Sequence, residues 1–177
     1  MSVSNLNGFT ALELMVSMAI VAILLVTAVP SFKEYSWNLR MRTAMDSLQT
    51  DLTLARSRAI SHNIQTIICP ARDTNTCSGE PNWQPGWIVF SDLNGDREKQ
   101  EGEPLLKRAD ALDILSISSS RSRSYLRFFP NGTSPGSNIS IQFCDKRGAD
   151  KAGVITVSNT GRIRQQPGSG NSSLNCP

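Results

Sequence analysis

The residues whose types and spacing could do chemistry are four cysteines, one histidine, a Gly-x-Ser-x-Gly stretch, an acidic loop and two arginines near the carboxyl end. Nucleophilic catalysis has little support. Gly132-Thr133-Ser134-Pro135-Gly136 fits a hydrolase nucleophile elbow, but Pro135 has no amide hydrogen for an oxyanion hole and no His follows Ser134. Zinc is disfavoured because Cys69, Cys77, Cys144 and Cys176 contain no Cys-x-x-Cys and His62 stands alone. Asp92-Leu93-Asn94-Gly95-Asp96 opens like a calcium loop, yet its Gly falls two places early and Arg97 stands where the turn Gly belongs. Without a phosphate loop or a dinucleotide fingerprint, the sequence predicts a binding or structural module rather than an enzyme, with no metal and no cofactor.

The remaining signal is basic. Arg162 and Arg164 are two apart, so in an extended backbone both guanidiniums project from one face. Arg suits phosphate because its planar fork makes bidentate, charge-assisted bonds. Lys146, Arg147 and Lys151 lie on the loop before the preceding strand and could reach the same end if a hairpin over 153–158 folds back. The distribution of charge agrees: residues 107–177 carry ten basic and four acidic groups, although the whole chain is only +3. Taken alone, the two arginines also fit charges that protect an exposed edge strand. Arg121, Arg123 and Arg127 form a second basic set. Few aromatics lie near the first set, so any polyanion contact should depend on charge rather than base stacking.

These groups must be positioned by elements. At 177 residues the chain makes one domain, or one with an appendage. Residues 9–29 form a mostly apolar run with a single charge, at Glu13, long enough to span a bilayer as a helix, and are followed by Pro30. A cleaved secretory signal fits poorly, because residues 1–8 lack Lys and Arg and a carboxylate lies within the run. Beyond Pro30, Met41, Ala44, Met45, Leu48, Leu52, Ala55 and Ala59 recur at helical spacing, opposite Arg40, Arg42, Asp46, Asp51, Arg56 and Arg58, which read as a solvated face. A helix over 9–61 would be about 80 Å long, kinked at the proline. Strands are expected at 64–69, 87–90, 112–118, 125–129, 139–143 and 154–157, separated by turn residues. Short strands of this kind suggest antiparallel sheets packed on the helix, an α+β fold. The four cysteines allow three pairings, of which proximity favours Cys69 with Cys77 and Cys144 with Cys176.

Gly8-Phe9-Thr10-Ala11-Leu12-Glu13-Leu14-Met15-Val16, leading into an apolar helix, resembles the amino terminus of type IV pilins and pseudopilins. Residues 81–108, in which a Gly-Trp strand runs into an acidic loop, resemble the GspH/FimT family of minor pilins. The resemblance implies a type IV pilin-like fold: a leader over 1–8, a transmembrane and filament-core helix over 9–29, an amphipathic helix over 30–62, and a β-rich head over 63–177. It implies cleavage after Gly8 by prepilin peptidase, methylation of Phe9, and a filament-assembly role for Glu13 opposite a neighbouring subunit's amine. The leader departs from the family in lacking a basic residue. An inner-membrane anchor before assembly, and then a pilus with its head outside the cytoplasm, is the implied location, where disulfides form.

Gly161-Arg162-x-Arg164 also resembles the DNA-binding motif of the FimT branch. It implies that Gly161, Arg162 and Arg164 contact DNA during uptake in natural transformation, with Lys146, Arg147 and Lys151 as supporting charges on physical grounds. Other pilins would be the filament partners. Two alternatives stay open: a structural minor pilin or type II secretion pseudopilin making filament-tip contacts without DNA, and an adhesin binding through Trp83 and Trp87.

Overall fold

The structure, a computed structural model, describes residues 10–72, 75–120, 122–166 and 176. Gly8, Phe9 and Arg121 lie outside the described residues. The chain forms two compact units, Met1–Leu39 and Arg40–Pro177.

Helix α1 (Ala11–His62) supplies the secondary structure of the first unit and the opening of the second. Its start is capped, with the Thr10 hydroxyl oxygen accepting from the Glu13 amide at 3.3 Å. Leu12, Met15, Met18, Ile23 and Val26 are all exposed, so this part is apolar all round. Its most apolar window has a mean hydropathy of 2.5, long and apolar enough to cross a membrane. Pro30 lies within the helix and does not end it. The helix stops at His62 because Asn63 turns left-handed (φ 54°), and the Ile64 amide returns to the Ala59 carbonyl at 3.3 Å.

In the second unit, the expected apolar face is the buried one. Met41, Ala44, Met45, Leu48, Leu52, Ala55 and Ala59 all lie in the main core. They pack on two four-stranded antiparallel sheets. The first is ordered β3-β2-β1-β5, from β1 (Gln65–Pro70), β2 (Trp87–Asp92), β3 (Leu105–Ala109) and β5 (Leu126–Phe128). The second is ordered β4-β6-β7-β8, from β4 (Ser116–Ser119), β6 (Ile139–Cys144), β7 (Gly153–Val157) and β8 (Ile163–Gln166). Ile68, Val89, Leu126 and Phe128 face the helix from the first sheet, and Ile117, Phe143, Ile155 and Val157 from the second. At Gly153 the second sheet comes so close that a Cβ would meet the Met45 sulfur at 2.3 Å. A smaller core of Ile67, Cys69, Ala71, Ile88 and Phe90 fills the other face of the first sheet.

Three expectations need correction. Asp51, assigned to the solvated helix face, is buried, and its carboxylate accepts from the Trp87 indole N–H at 2.8 Å. The strand expected over 112–118 begins only at Ser116, since Leu112 and Leu115 close a turn instead. Strands β3 and β8 were not among the expected strands. Both are edge strands, and in neither do apolar and polar residues alternate.

Candidate polyanion-binding site

The site begins at the turn between β7 and β8. Antiparallel pairing sets Val157 opposite Ile163 and Thr156 opposite Arg164. Because side chains alternate, Ile163 packs against the core while Arg164 is exposed on the face turned away from α1. Ladder bonding continues past the strand, with the Ser158 amide donating to the Arg162 carbonyl at 3.1 Å. This keeps Arg162 in phase with Arg164, as the two-residue spacing predicted. Both are exposed. Among the described residues, neither guanidinium makes a hydrogen bond or ion pair.

Gly161 has a different role from its neighbours. It is buried, with φ +75°, and a Cβ there would lie 1.9 Å from the Gly132 carbonyl oxygen. Its amide donates to Ser158 at 2.8 Å, and the Ser134 amide donates to Asn159 at 2.8 Å, so the turn is docked on the 129–134 loop. Gly161 therefore places Arg162 and is not itself a contact surface. Ser134 is buried in this docking, its hydroxyl 2.9 Å from that of Ser137, which makes the Gly-x-Ser-x-Gly stretch a structural turn.

The supporting charges fall elsewhere. Residues 145–152 join β6 to the start of β7, beside the Gln166 end of β8, whereas the Arg162 turn lies beyond Val157. The five residues of β7 separate the two ends by about 16 Å at about 3.3 Å per residue. The hairpin thus carries Lys146, Arg147 and Lys151 away from the Arg162 turn. Arg147 is also committed, with its guanidinium 2.7 Å from the Asp145 carboxylate. Burial works against ionising Asp145, but hydrogen bonds from the Arg147 side chain and amide, and its charge, outweigh it and hold the carboxyl below its ordinary range.

The second basic set is structural where described. Arg123 donates to the Gly136 carbonyl at 2.6 Å, and Arg127 stacks 4.4 Å from the centre of the Phe129 ring. Asp92, in the acidic loop, accepts from the amides of Gly95 (2.7 Å) and Arg97 (3.2 Å). Trp83 and Trp87 are buried, leaving no indole surface for an adhesin. Both favoured disulfides are formed, Cys69–Cys77 and Cys144–Cys176.

The family described as Type II transport protein GspH matches residues 44–161, which span the packed half of α1 and the head as far as Gly161. The chain belongs to the GspH family. Membership makes it a minor pilin or pseudopilin of a type IV pilus or type II secretion system. Arg162 and Arg164 lie just past the matched residues. The type IV minor pilin FimU of Pseudomonas aeruginosa is 24% identical over 72% of this chain and 94% of its own, with a TM-score of 0.57. A second crystal form gives 23% and 0.60, over 76% of this chain and 94% of that one. The minor pseudopilin EpsH of the Vibrio cholerae Type 2 Secretion System is 10% identical over 73% of this chain and 98% of its own, with a TM-score of 0.54. These likenesses carry the pilin-like α+β fold. None of the curated protein sequences is significantly similar to the chain.

Proposed function

We propose that this GspH-family chain is a minor pilin of a type IV pilus that binds extracellular DNA through its backbone during uptake in natural transformation. The observation that carries the reading is the exposed pair Arg162 and Arg164, held in phase by the β7–β8 pairing, with neither guanidinium engaged among the described residues. A partnered arginine spends its fork internally, as Arg147 does on Asp145. Arg162 and Arg164 keep theirs for a ligand. Contact is to phosphate, so sequence preference is weak and affinity falls with salt, each neutralised phosphate adding about −0.9 to the log-log slope on duplex DNA. Prepilin peptidase would cleave after Gly8, Phe9 would become the methylated amino terminus, and Glu13 would meet the amine of a neighbouring pilin.

The test is titration of the full chain in detergent with a labelled duplex. Replacing both arginines (R162Q with R164Q) is expected to abolish binding while leaving the circular dichroism melt unchanged. Unchanged affinity in that double variant removes the reading. The second reading, a structural minor pilin or type II secretion pseudopilin, is favoured by the family's description and by the EpsH fold. It predicts no DNA binding by the wild type and co-purification with sister pilins.

A further inference from the structure

Helix α1 contributes a cation to the same turn. Gly161 lacks a side chain at the point where Arg56 arrives: a Cβ there would lie 3.2 Å from the Arg56 Nε and 1.9 Å from the Gly132 carbonyl oxygen. Arg56 donates through Nε to that carbonyl at 3.0 Å. Among the described residues this is the only hydrogen bond of its guanidinium, so the two terminal amino groups remain available. Arg56 is half-buried. The positions three and four residues away on the helix are Leu52, Thr53, Ala59 and Ile60, none of which is a carboxylate that could neutralise it.

We infer that Arg56 is a third phosphate-contacting residue of the proposed DNA site, flanking the Gly161 turn from the helix side while Arg162 and Arg164 flank it from the other. The inference rests on the DNA-binding reading. The sequence places Arg56 more than a hundred positions from the Gly-Arg-x-Arg stretch, and only the docking of the two turns brings them together. Anchoring Nε fixes the plane of the guanidinium before any ligand arrives, so less side-chain freedom is lost on binding than for an unanchored arginine. A strand draped over the turn would meet Arg56 on one side and Arg162 and Arg164 on the other.

The test is the salt dependence of duplex binding by the full chain in detergent, read by fluorescence anisotropy for wild type, R56Q, R56K and the R162Q/R164Q double variant. Three phosphate contacts predict a wild-type slope of about −2.7, and R56Q is expected to reduce it to about −1.8 with weaker binding. R56K, which keeps the charge, is expected to retain the wild-type slope even if its affinity falls. A common slope for wild type, R56Q and R56K overturns the role of Arg56, as does a slope shared by R56Q and R56K below that of wild type. If that happens while the double variant loses binding, the DNA reading stands without Arg56. Absence of wild-type binding overturns both.

Discussion

At the residue scale, one glycine and one carboxylate show how local constraint supports the site and the core. Gly161 combines a left-handed backbone with contact to the Gly132 carbonyl. Gly161→Ala is therefore expected to destabilise the head by about 1–3 kcal/mol and to weaken DNA binding by displacing Arg162. Thermal melting and duplex titration check it, and wild-type values in both would disprove the docking argument. Asp51 lies under Trp87, where burial raises its pKa more than the Trp87 hydrogen bond and the Lys107 charge lower it. The folded state thus holds the Asp51 proton more tightly than the unfolded chain. Its contribution is greatest in acid and is lost as pH rises through the folded-state value. Asp51→Asn keeps an acceptor for the indole and removes the charge. Melts between about pH 4 and 7 should show an equal or higher midpoint at neutral pH and a flatter profile than wild type. A lower neutral midpoint would mean that the ionised carboxylate stabilises the fold.

At the scale of elements, the two disulfides tie different lengths of chain. Cys144–Cys176 spans 32 positions and Cys69–Cys77 spans 8. Loop-closure entropy predicts about 3.7 kcal/mol for the longer and about 2.5 kcal/mol for the shorter. Cys176→Ser with Cys144→Ser should accordingly lower the denaturant midpoint more than the corresponding pair at Cys69 and Cys77, and the reverse order would show that local packing outweighs chain entropy. The elements also mark how far the sequence could be read. The buried face of α1 was legible from Met41 to Ala59 because helical spacing and burial coincide there. Strands β3 and β8 were not, because Leu105-Leu106-Lys107-Arg108-Ala109 and Ile163-Arg164-Gln165-Gln166 do not alternate apolar with polar residues.

At the scale of the whole molecule, the proposed reading gives filament assembly to the amino-terminal unit and DNA binding to the head. Glu13 sits exposed in the first turn of an apolar helix, a costly place for a charge in hydrocarbon unless a partner meets it. Glu13→Ala is expected to reduce incorporation into filaments severalfold while the head melts as in wild type. Quantitative immunoblotting of sheared pili measures it, and normal incorporation would remove the charge-pairing role. The sequence by itself determined the apolar helix, the buried face of the packed helix, the α+β class and the shared phase of Arg162 and Arg164, since each depends on spacing within one segment. Only the tertiary structure decided that Gly161 is a buried spacer, that Asp51 leaves the solvated face, that Lys146, Arg147 and Lys151 are carried to the far end of β7, and that Arg56 arrives beside the turn. Those outcomes depend on which loops dock and which strands pair, contacts between segments far apart in the chain that no local pattern encodes.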